Sequence, residues 1–412
     1  MSIATRFPAA SGHWLNAERL RLYPWLLVVF YLFMLVLLFR PIHDGSEAEG
    51  TYTAQGMDFG AYWTASEFAL KGEPVQAYSY PAITDAQRVI NPLVQTANPF
   101  FYPPAFLLIC LPLALLPYLV SYLVFIGTTF AAYASLLHRI APPQTAWVLL
   151  LAFPGVFQNV VHGQNAFLTS SLMAAGLIWL PNRPVLAGIA FGLLSFKPHL
   201  GVLIPLALLC TRQWRTIATA AVTTALLYGT SLAVFGAGVF QAFIDCMPQV
   251  SKWVISNFIP LRKTPTFFSF SMLLGLSPAI SYALQTAVAA ITAGLVAMVW
   301  LRNQNHALRA AALMTGALLT TPYLHEYDLA WLAFPVAWVA ADGIRNGWAR
   351  GEREWLALVW LSPLGVGWLY DLIHLQIAPF VIFGFLLLIV RRALQPSACV
   401  ATGSEIPAPC PR

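Results

Sequence analysis

Charge is scarce in this sequence. Only 9% of its 412 residues are Asp, Glu, Lys or Arg, whereas ordinary soluble domains carry roughly 25%. Hydrophobic residues make up 59% of the chain, and the mean hydropathy is +0.69. This balance excludes a soluble globular protein. Because a chain in lipid has to satisfy its backbone polar groups internally, we predict an all-α polytopic membrane protein.

Cysteine is rare as well. The five cysteines form no CxxC pair, so neither a disulfide framework nor a cysteine zinc site is predicted. The 22 basic residues outnumber the 16 acidic ones, but they are scattered singly or in pairs at the ends of apolar segments. Such a pattern sets membrane orientation and offers no basic stripe for nucleic acid. The sequence also lacks a recognisable internal repeat or heptad pattern.

The N-terminal part of the chain indicates its orientation in the membrane. Arg6, Arg19 and Arg21 precede the apolar run 24–39, and no small-residue cleavage site follows it. We therefore predict an uncleaved signal anchor with a cytoplasmic N-terminus, residues 1–23. Residues 24–394 are predicted to form one integral-membrane domain, with 40–101 as the first extracytoplasmic loop. A disordered cytoplasmic tail is predicted for 395–412.

Arginine pairs and apolar stretches alternate along the rest of the chain, and they predict about 11–13 membrane segments. The run 102–138 is too long for one crossing and too short for two, so one of its halves is expected to be re-entrant. Proline or polar residues interrupt the apolar stretches at 154–165, 197–199, 236–266, 322–328 and 370–374. Irregular backbone at membrane depth is tolerated only against protein or water. Several breaks on the outer face therefore predict one cavity there.

The loop 40–101 is acidic, with seven acids against three bases, and contains MDFGAYWTASEFALKG at 57–72. Phe59, Trp63 and Ser66 fall on one helical face because positions three or four apart stack. Gly72 ends this helix and Pro74 prevents its resumption. We expect the helix to lie on the membrane surface with its aromatic side down.

Asp58 occupies the first turn of that predicted helix. Free backbone N–H groups and the positive end of the helix dipole favour an ionised carboxylate at this position. Two interpretations stay open on local sequence alone. Asp58 is either a helix N-cap or a functional carboxylate at the outer face.

Three further segments place polar groups in apolar surroundings. QNVVHGQN at 158–165 has five hydrogen-bonding side chains, of which interhelical hydrogen bonds would explain one or two and a polar ligand the rest. Lys197 lies between two apolar helices. Placing its charge inside the membrane costs about 3 kcal/mol unless an anion, either a carboxylate or a phosphate, pairs with it. A snorkelling lysine is the alternative. TPYLHEYD at 321–328 adds His325 and Asp328, and Asp328 could also cap a helix.

Together these segments resemble a known family. MDFGAYWTASEFALKGEPVQAY, FFYPPAFLLICLPLALLP, GQNAFLTSSLMAAGL with RPVLAGIAFGLLSFKPHLGVLIPLALL, and TPYLHEYDLAWLAFP are similar to glycosyltransferase family 87, earlier catalogued as domain of unknown function 2029. The resemblance runs from about Asp58 to Asp342. It implies the GT-C architecture, a bacterial inner-membrane location and an active site on the extracytoplasmic side.

The resemblance also implies a chemistry. Such enzymes use a polyprenyl-phosphate-linked sugar, and the best-known members are α-mannosyltransferases that act on glycolipids. Asp58 would be the catalytic carboxylate. The residues implied around donor and acceptor are Tyr62, Tyr102, Gln164, Asn165, Lys197, His199 and His325, to which we add Asp328. The segment TPYLHEYDLAW departs from the histidine-rich and tryptophan-rich version of mycobacterial members, which leaves the sugar and the role of His325 open.

The mechanism expected from this resemblance is inverting transfer of a hexose to a lipid-linked or glycan-linked acceptor. Asp58 accepts the acceptor's hydroxyl proton, while Lys197, with help from His199 or the basic loop 252–263, stabilises the departing lipid phosphate. No nucleotide, cofactor or acidic metal cluster is expected, although a divalent ion at Asp58 stays open. The alternatives are a transporter or flippase for lipid-linked sugars, which the broken helices also suit, and a membrane assembly scaffold.

Overall fold

Helices form the whole regular structure of the described chain. The structure is a computed structural model, and it describes residues 14–38, 57–90, 97–141 and 145–395. Within these ranges there is no β-strand. The predicted tail lies outside the described residues beyond Gln395, as do the parts of the first loop at 40–56 and 91–96.

The helices follow one another with short connections. The first ten are α1 (Ala17–Leu38), α2 (Met57–Leu70), α3 (Tyr80–Ile90), α4 (Pro104–Cys110), α5 (Tyr118–Ile140), α6 (Thr145–Leu151), α7 (Pro154–His162), α8 (Ala166–Trp179), α9 (Pro184–Leu193) and α10 (Pro198–Gly201). The remainder are α11 (Ile204–Cys210), α12 (Trp214–Phe235), α13 (Ala237–Ile255), α14 (Phe267–Leu273), α15 (Pro278–Arg302), α16 (His306–Leu319), α17 (Ala333–Asn346), α18 (Glu352–Ile373) and α19 (Ala378–Leu394). Short 3₁₀ turns lie at Pro74–Tyr78, Leu113–Leu115, Leu194–Phe196, Leu261–Lys263 and Glu326–Leu332.

Five of the described helices are long and apolar enough to cross a bilayer. They are Glu18–Leu37, Tyr118–Ile140, Trp214–Phe235, Pro278–Arg302 and Glu352–Ile373. Five shorter apolar helices accompany them. The all-α polytopic class is therefore confirmed. Continuous long helices are fewer than the 11–13 predicted segments because prolines and turns divide several apolar runs, as at Leu194–Gly201 between α9 and α11.

Two predicted segments differ in detail from the structure. The run 102–138 divides into the short helix α4 and the 23-residue α5, and at 1.5 Å per residue only α5 has the length to cross. The segment 236–266, predicted as an outer loop, is mostly the 19-residue helix α13. Its apolar residues recur at helical spacing, and only Val239 and Val254 are buried.

Helix α2 forms where it was predicted, and Gly72 follows it with φ +80°. The expected contact of its aromatic side with lipid is wrong, whereas the position of α2 relative to the bilayer stays a prediction. Phe59 and Tyr62 are at most 1% exposed, and the Phe59 ring lies 5.6 Å from the rings of Tyr122 and Phe125 on α5. Small residues beside this face, among them Ala61 and Ala65, are buried as well. The aromatic face of α2 therefore packs against protein.

Two glycines allow a close contact between helices α9 and α12. Gly188 and Gly192 stand four residues apart, as in the small-xxx-small pattern of membrane helix pairs. A Cβ at Gly192 would lie 2.5 Å from Thr223 Cβ and 2.7 Å from the Ala220 carbonyl oxygen. The Thr216 hydroxyl also donates to the Pro184 carbonyl across this contact, at 3.1 Å. The two backbones therefore touch, without room for a methyl group.

Buried ion pairs join the last three helices where α17 and α19 end and α18 begins. Arg392 on α19 binds Asp342 on α17 and Glu352 on α18, the latter at 2.6 Å. Arg391 reaches the second oxygen of Glu352 at 3.1 Å. Arg392 also donates to the Gly347 carbonyl at 2.9 Å. These bonds fix the relative positions of α17, α18 and α19.

Gly192→Ala tests the contact between α9 and α12. The added methyl has to push α12 away, so we expect the free energy of unfolding to fall by about 1–3 kcal/mol. Gly229→Ala, on α12 with open space around its Cβ position, is the matched control, and it should be neutral or stabilising by up to about 1 kcal/mol. Thermal unfolding in detergent measures both. Equal midpoints for the two variants would contradict this account of the packing.

Candidate active site

Asp58 lies in the first turn of α2, where its carboxylate meets side chains from distant parts of the chain. Its Oδ2 accepts a hydrogen bond of 2.9 Å from Gln164 Nε2 and lies 3.7 Å from His162 Nδ1. The Asp58 side chain is 18% exposed. The carboxylate is thus engaged across helices and is still open to a ligand, which is more than an N-cap requires.

The orientation of the Gln164 amide is fixed by three donors. Its Oε1 accepts from the Tyr62 hydroxyl, from the Tyr102 hydroxyl at 3.2 Å and from the Asn165 backbone N–H at 3.1 Å. The two tyrosine hydroxyls also lie 2.9 Å apart. Burial raises the pKa of both phenols, well above its usual value in Tyr62. Because both tyrosines remain protonated donors, the Nε2 group of Gln164 has to face Asp58.

A second carboxylate reaches the same place through His162. The two ring nitrogens face opposite carboxylates, Nδ1 toward Asp58 and Nε2 toward Glu326 Oε1 at 3.3 Å. Glu326 also pairs with Lys263 Nζ at 3.2 Å. Burial opposes ionisation of Glu326, but the His162 hydrogen bond and the Lys263 charge outweigh it and hold the pKa of the carboxyl below its usual value. Glu326 is therefore an anion held between two basic groups.

Lys197 is buried beside this group, with 4% of its side chain exposed. Its Nζ pairs with Asp328 Oδ1 at 2.6 Å and donates to Asn165 Oδ1 at 3.2 Å. The predicted anionic neighbour is therefore a carboxylate of the protein itself. Asp328 Oδ2 in addition accepts the His325 backbone N–H at 3.3 Å and caps the 3₁₀ turn Glu326–Leu332. The N-cap residue of this turn is His325, and Asp328 contributes to the capping box from the third position while it also forms the ion pair.

The Tyr327 ring connects the two halves of the site. Lys197 Nζ lies 5.6 Å from its centroid, and the rings of His162 and His325 lie 5.4 and 5.2 Å away. Burial lowers the pKa of His325, against the opposing charges of Asp328 and Asp58. The His325 ring is thereby favoured in its neutral form. Asp58 and Lys197, predicted to share one chamber, do belong to one polar cluster.

Buried polar atoms without a partner accompany the cluster. Asn165 Nδ2 and His199 Nε2 are buried and make no hydrogen bond in the structure. An unpaired buried polar atom is costly, and such atoms mark places where a ligand or water can bind. His199 follows Lys197 by two residues, and both its carboxylate neighbour Asp328 and its cationic neighbour Lys197 act on it electrostatically.

Local turns explain how the sequence builds this arrangement. Helix α7 ends at His162, and Gly163 directly after it has a left-handed φ of +67°. Asn159 Oδ1 accepts the Ala166 N–H at the start of α8, at 3.1 Å. The chain therefore turns sharply through Gln164 and Asn165, which point into the cluster. Pro198 interrupts the next apolar stretch directly after Lys197.

A comparison with models of known protein families identifies the family of the chain. A family model described as glycosyltransferase family 87 matches residues 100–322, more than half of the chain. The chain belongs to glycosyltransferase family 87. No curated protein matches it, and neither does any solved structure. The family match includes Tyr102, Gln164 and Lys197, whereas Asp58 and Asp328 lie outside the matched range, and the resemblance described above extends further at both ends.

Membership of glycosyltransferase family 87 confirms the resemblance and supports glycosyltransferase activity at a membrane. All the residues predicted for the site lie in or beside one cluster: Asp58, Tyr62, Tyr102, Gln164, Asn165, Lys197, His199, His325 and Asp328. Their roles toward substrate stay predictions. Three residues of the cluster, His162, Glu326 and Tyr327, were not among the predicted site residues, although each belongs to one of the polar segments 158–165 and 321–328. Among the described residues no group of three or more His, Cys, Asp and Glu side chains is arranged to hold a metal ion.

The pair Lys197–Asp328 makes a stability prediction. Lys197→Met leaves a buried carboxylate without its cation, so unfolding free energy should fall by about 3–5 kcal/mol. Lys197→Met with Asp328→Asn removes both charges and should recover much of that loss. Lys71→Met, which breaks the exposed pair with Glu67, should change stability by less than about 1 kcal/mol. Thermal unfolding of the purified chain compares the three. A double variant that is less stable than Lys197→Met would contradict the pairing argument.

Proposed function

We propose that this member of glycosyltransferase family 87 transfers a hexose, with mannose the first candidate, from a polyprenyl-phosphate donor to a lipid-linked or glycan-linked acceptor. The reaction takes place at the extracytoplasmic face of the bacterial inner membrane and inverts the anomeric centre. The observation that carries the proposal is the Asp58 carboxylate, held by the fixed Gln164 amide and still partly exposed. A general base needs this combination of fixed position and access.

The bonds change in one displacement. The acceptor oxygen bonds to the anomeric carbon and gives its proton to Asp58, while the bond from that carbon to the phosphate oxygen breaks. The electron pair leaves with the polyprenyl phosphate, so negative charge develops on the phosphate. A cation near the leaving oxygen lowers the barrier, most of all where water is excluded.

Two lysines are near enough to the cluster to serve as that cation, and they differ in access. Lys197 is almost fully buried and already neutralised by Asp328. Lys263 is 36% exposed, and its partner Glu326 is shared with His162. A lipid phosphate can therefore approach Lys263 with less rearrangement. We assign direct phosphate contact to Lys263, and to Lys197 only the fixed dipole of its pair with Asp328.

The first test is Asp58→Asn, which keeps the shape of the side chain and removes its basicity. Transfer from a polyprenyl-phosphate mannose to an added acceptor should fall by about 10²-fold or more, with the thermal midpoint close to that of the wild type. Radiolabelled glycosidic product separated by chromatography is the measurement. Retained turnover in a folded variant would remove Asp58 from the mechanism. A transporter or flippase would give no glycosidic product even in the wild-type chain.

The second test separates the two lysines. Lys263→Gln should raise KM for the polyprenyl-phosphate donor and lower kcat, because both ground-state and developing phosphate charge lose a cation. A loss of about 10-fold or more in kcat/KM is expected. Lys71→Gln changes an exposed lysine directly after α2 that pairs with Glu67, and this control variant should leave both constants unchanged. If Lys263→Gln leaves kcat and KM for the donor unaltered, Lys263 does not contact the phosphate.

A further inference from the structure

An open cavity of about 340 Å³ lies between α18 and α19, at the arginine-rich end of these helices. Its lining includes Arg350, Trp355, Gly384, Leu387, Leu388 and Arg391. Sites of several hundred Å³ are of the size that small-molecule ligands occupy.

The cavity is far from the candidate active site. Gly367 on α18 approaches Glu326, because a Cβ at Gly367 would lie 3.6 Å from Glu326 Oε2. Helix α18 begins at Glu352, fifteen residues earlier, so these two positions are separated by roughly 22 Å along the helix at 1.5 Å per residue. The cavity is at the beginning of α18, and the candidate active site is near its end.

The mouth of the cavity keeps an excess of positive charge. Glu352 is fully buried and is already bound by Arg392 at 2.6 Å. Arg391 donates one hydrogen bond to Glu352, and its side chain is 49% exposed. Because a guanidinium has five N–H donors, others remain for a ligand. Arg350 is exposed in the turn just before Glu352. Two guanidinium groups are therefore placed at one opening, where they suit the oxygens of a phosphate.

The rest of the cavity is apolar and opens on the surface of a helix long enough to span a membrane. Leu387 is 45% exposed on the surface of α19, while α18 is apolar and long enough to span a bilayer. The Trp355 indole N–H donates to the Val381 carbonyl at 3.3 Å, and its ring fits against Gly384, where a Cβ would overlap the ring. A tryptophan and arginines at the end of a spanning helix are typical of the headgroup level of a membrane.

We propose that this cavity binds an anionic phospholipid, with the headgroup phosphate on Arg350 and Arg391 and the upper part of an acyl chain along Leu387 and Leu388. Basic pockets between membrane helices recognise acidic lipid headgroups in this way. The arginines supply selectivity for negative charge, and the leucine face selects a lipid over a free anion. This inference does not depend on the proposed transfer reaction.

The test measures phosphatidylglycerol binding to the full chain in detergent, by native mass spectrometry and by the lipid-induced rise in thermal midpoint. The wild type should bind phosphatidylglycerol saturably and gain little from phosphatidylcholine. The variant Arg350→Gln with Arg391→Gln should bind phosphatidylglycerol roughly 30-fold more weakly. Arg302→Gln with Arg345→Gln removes two exposed arginines that do not line the cavity, and it is the matched control with unchanged affinity.

Leu388→Trp fills the cavity without altering charge, so it tests the proposal independently if the arginine variant fails to fold. It should also lose phosphatidylglycerol binding. The proposal is overturned if either cavity variant binds the lipid as the wild type does. If phosphatidylcholine binds equally well, the site has no selectivity for negative charge and the proposal is overturned. Inorganic phosphate is also compared with the lipid. If it raises the thermal midpoint of the wild type as much as phosphatidylglycerol does, and the arginine variant loses this rise, the site binds a free anion and the lipid proposal is overturned.

Discussion

The ion pair between Lys197 and Asp328 is the constraint on which the site depends. A lysine this deeply buried in an apolar bundle is stable only if an anion compensates it, and Asp328 does so at 2.6 Å. Asp328 simultaneously caps the 3₁₀ turn that follows. The position of Glu326 and Tyr327 is thereby tied to that of Lys197. The Asp328 carboxylate thus connects the break in the apolar sequence at 197–199 with the break at 322–328.

Glutamine has a comparable role in the other half of the site. The carbonyl oxygen of Gln164 accepts three donors, so its amide nitrogen is left to face Asp58. Both connections begin at the same turn, because Gln164 bonds Asp58 and the adjacent Asn165 bonds Lys197. The sharp turn after α7, made possible by the left-handed Gly163, therefore places two neighbouring side chains against opposite charges. A shift of this turn would disturb both halves at once.

The sequence predicted the fold class, the breaks and helix α2, because these depend on local signals such as proline, glycine and apolar periodicity. It could not predict the surroundings of α2, which depend on long-range packing. Phe59 has the same helical position whether its face meets lipid or α5, and only the assembled bundle decides. His162 and Glu326 were missed for a similar reason. They are 164 residues apart, and nothing in either local segment indicates that the two side chains meet through a ring nitrogen.

The contrast between the two lysines suggests how such a site can operate next to lipid. A cation that is fully paired keeps its position and contributes a constant field, but it has little capacity left for a ligand. A partly exposed cation such as Lys263 can exchange its carboxylate for a phosphate, and the released Glu326 still has His162 as a partner. Glu326 therefore does not become an unpaired buried charge when the phosphate arrives. Because Glu326 keeps its contact with His162, the proposed binding of the donor phosphate at Lys263 would require no large rearrangement of the cluster around Asp58.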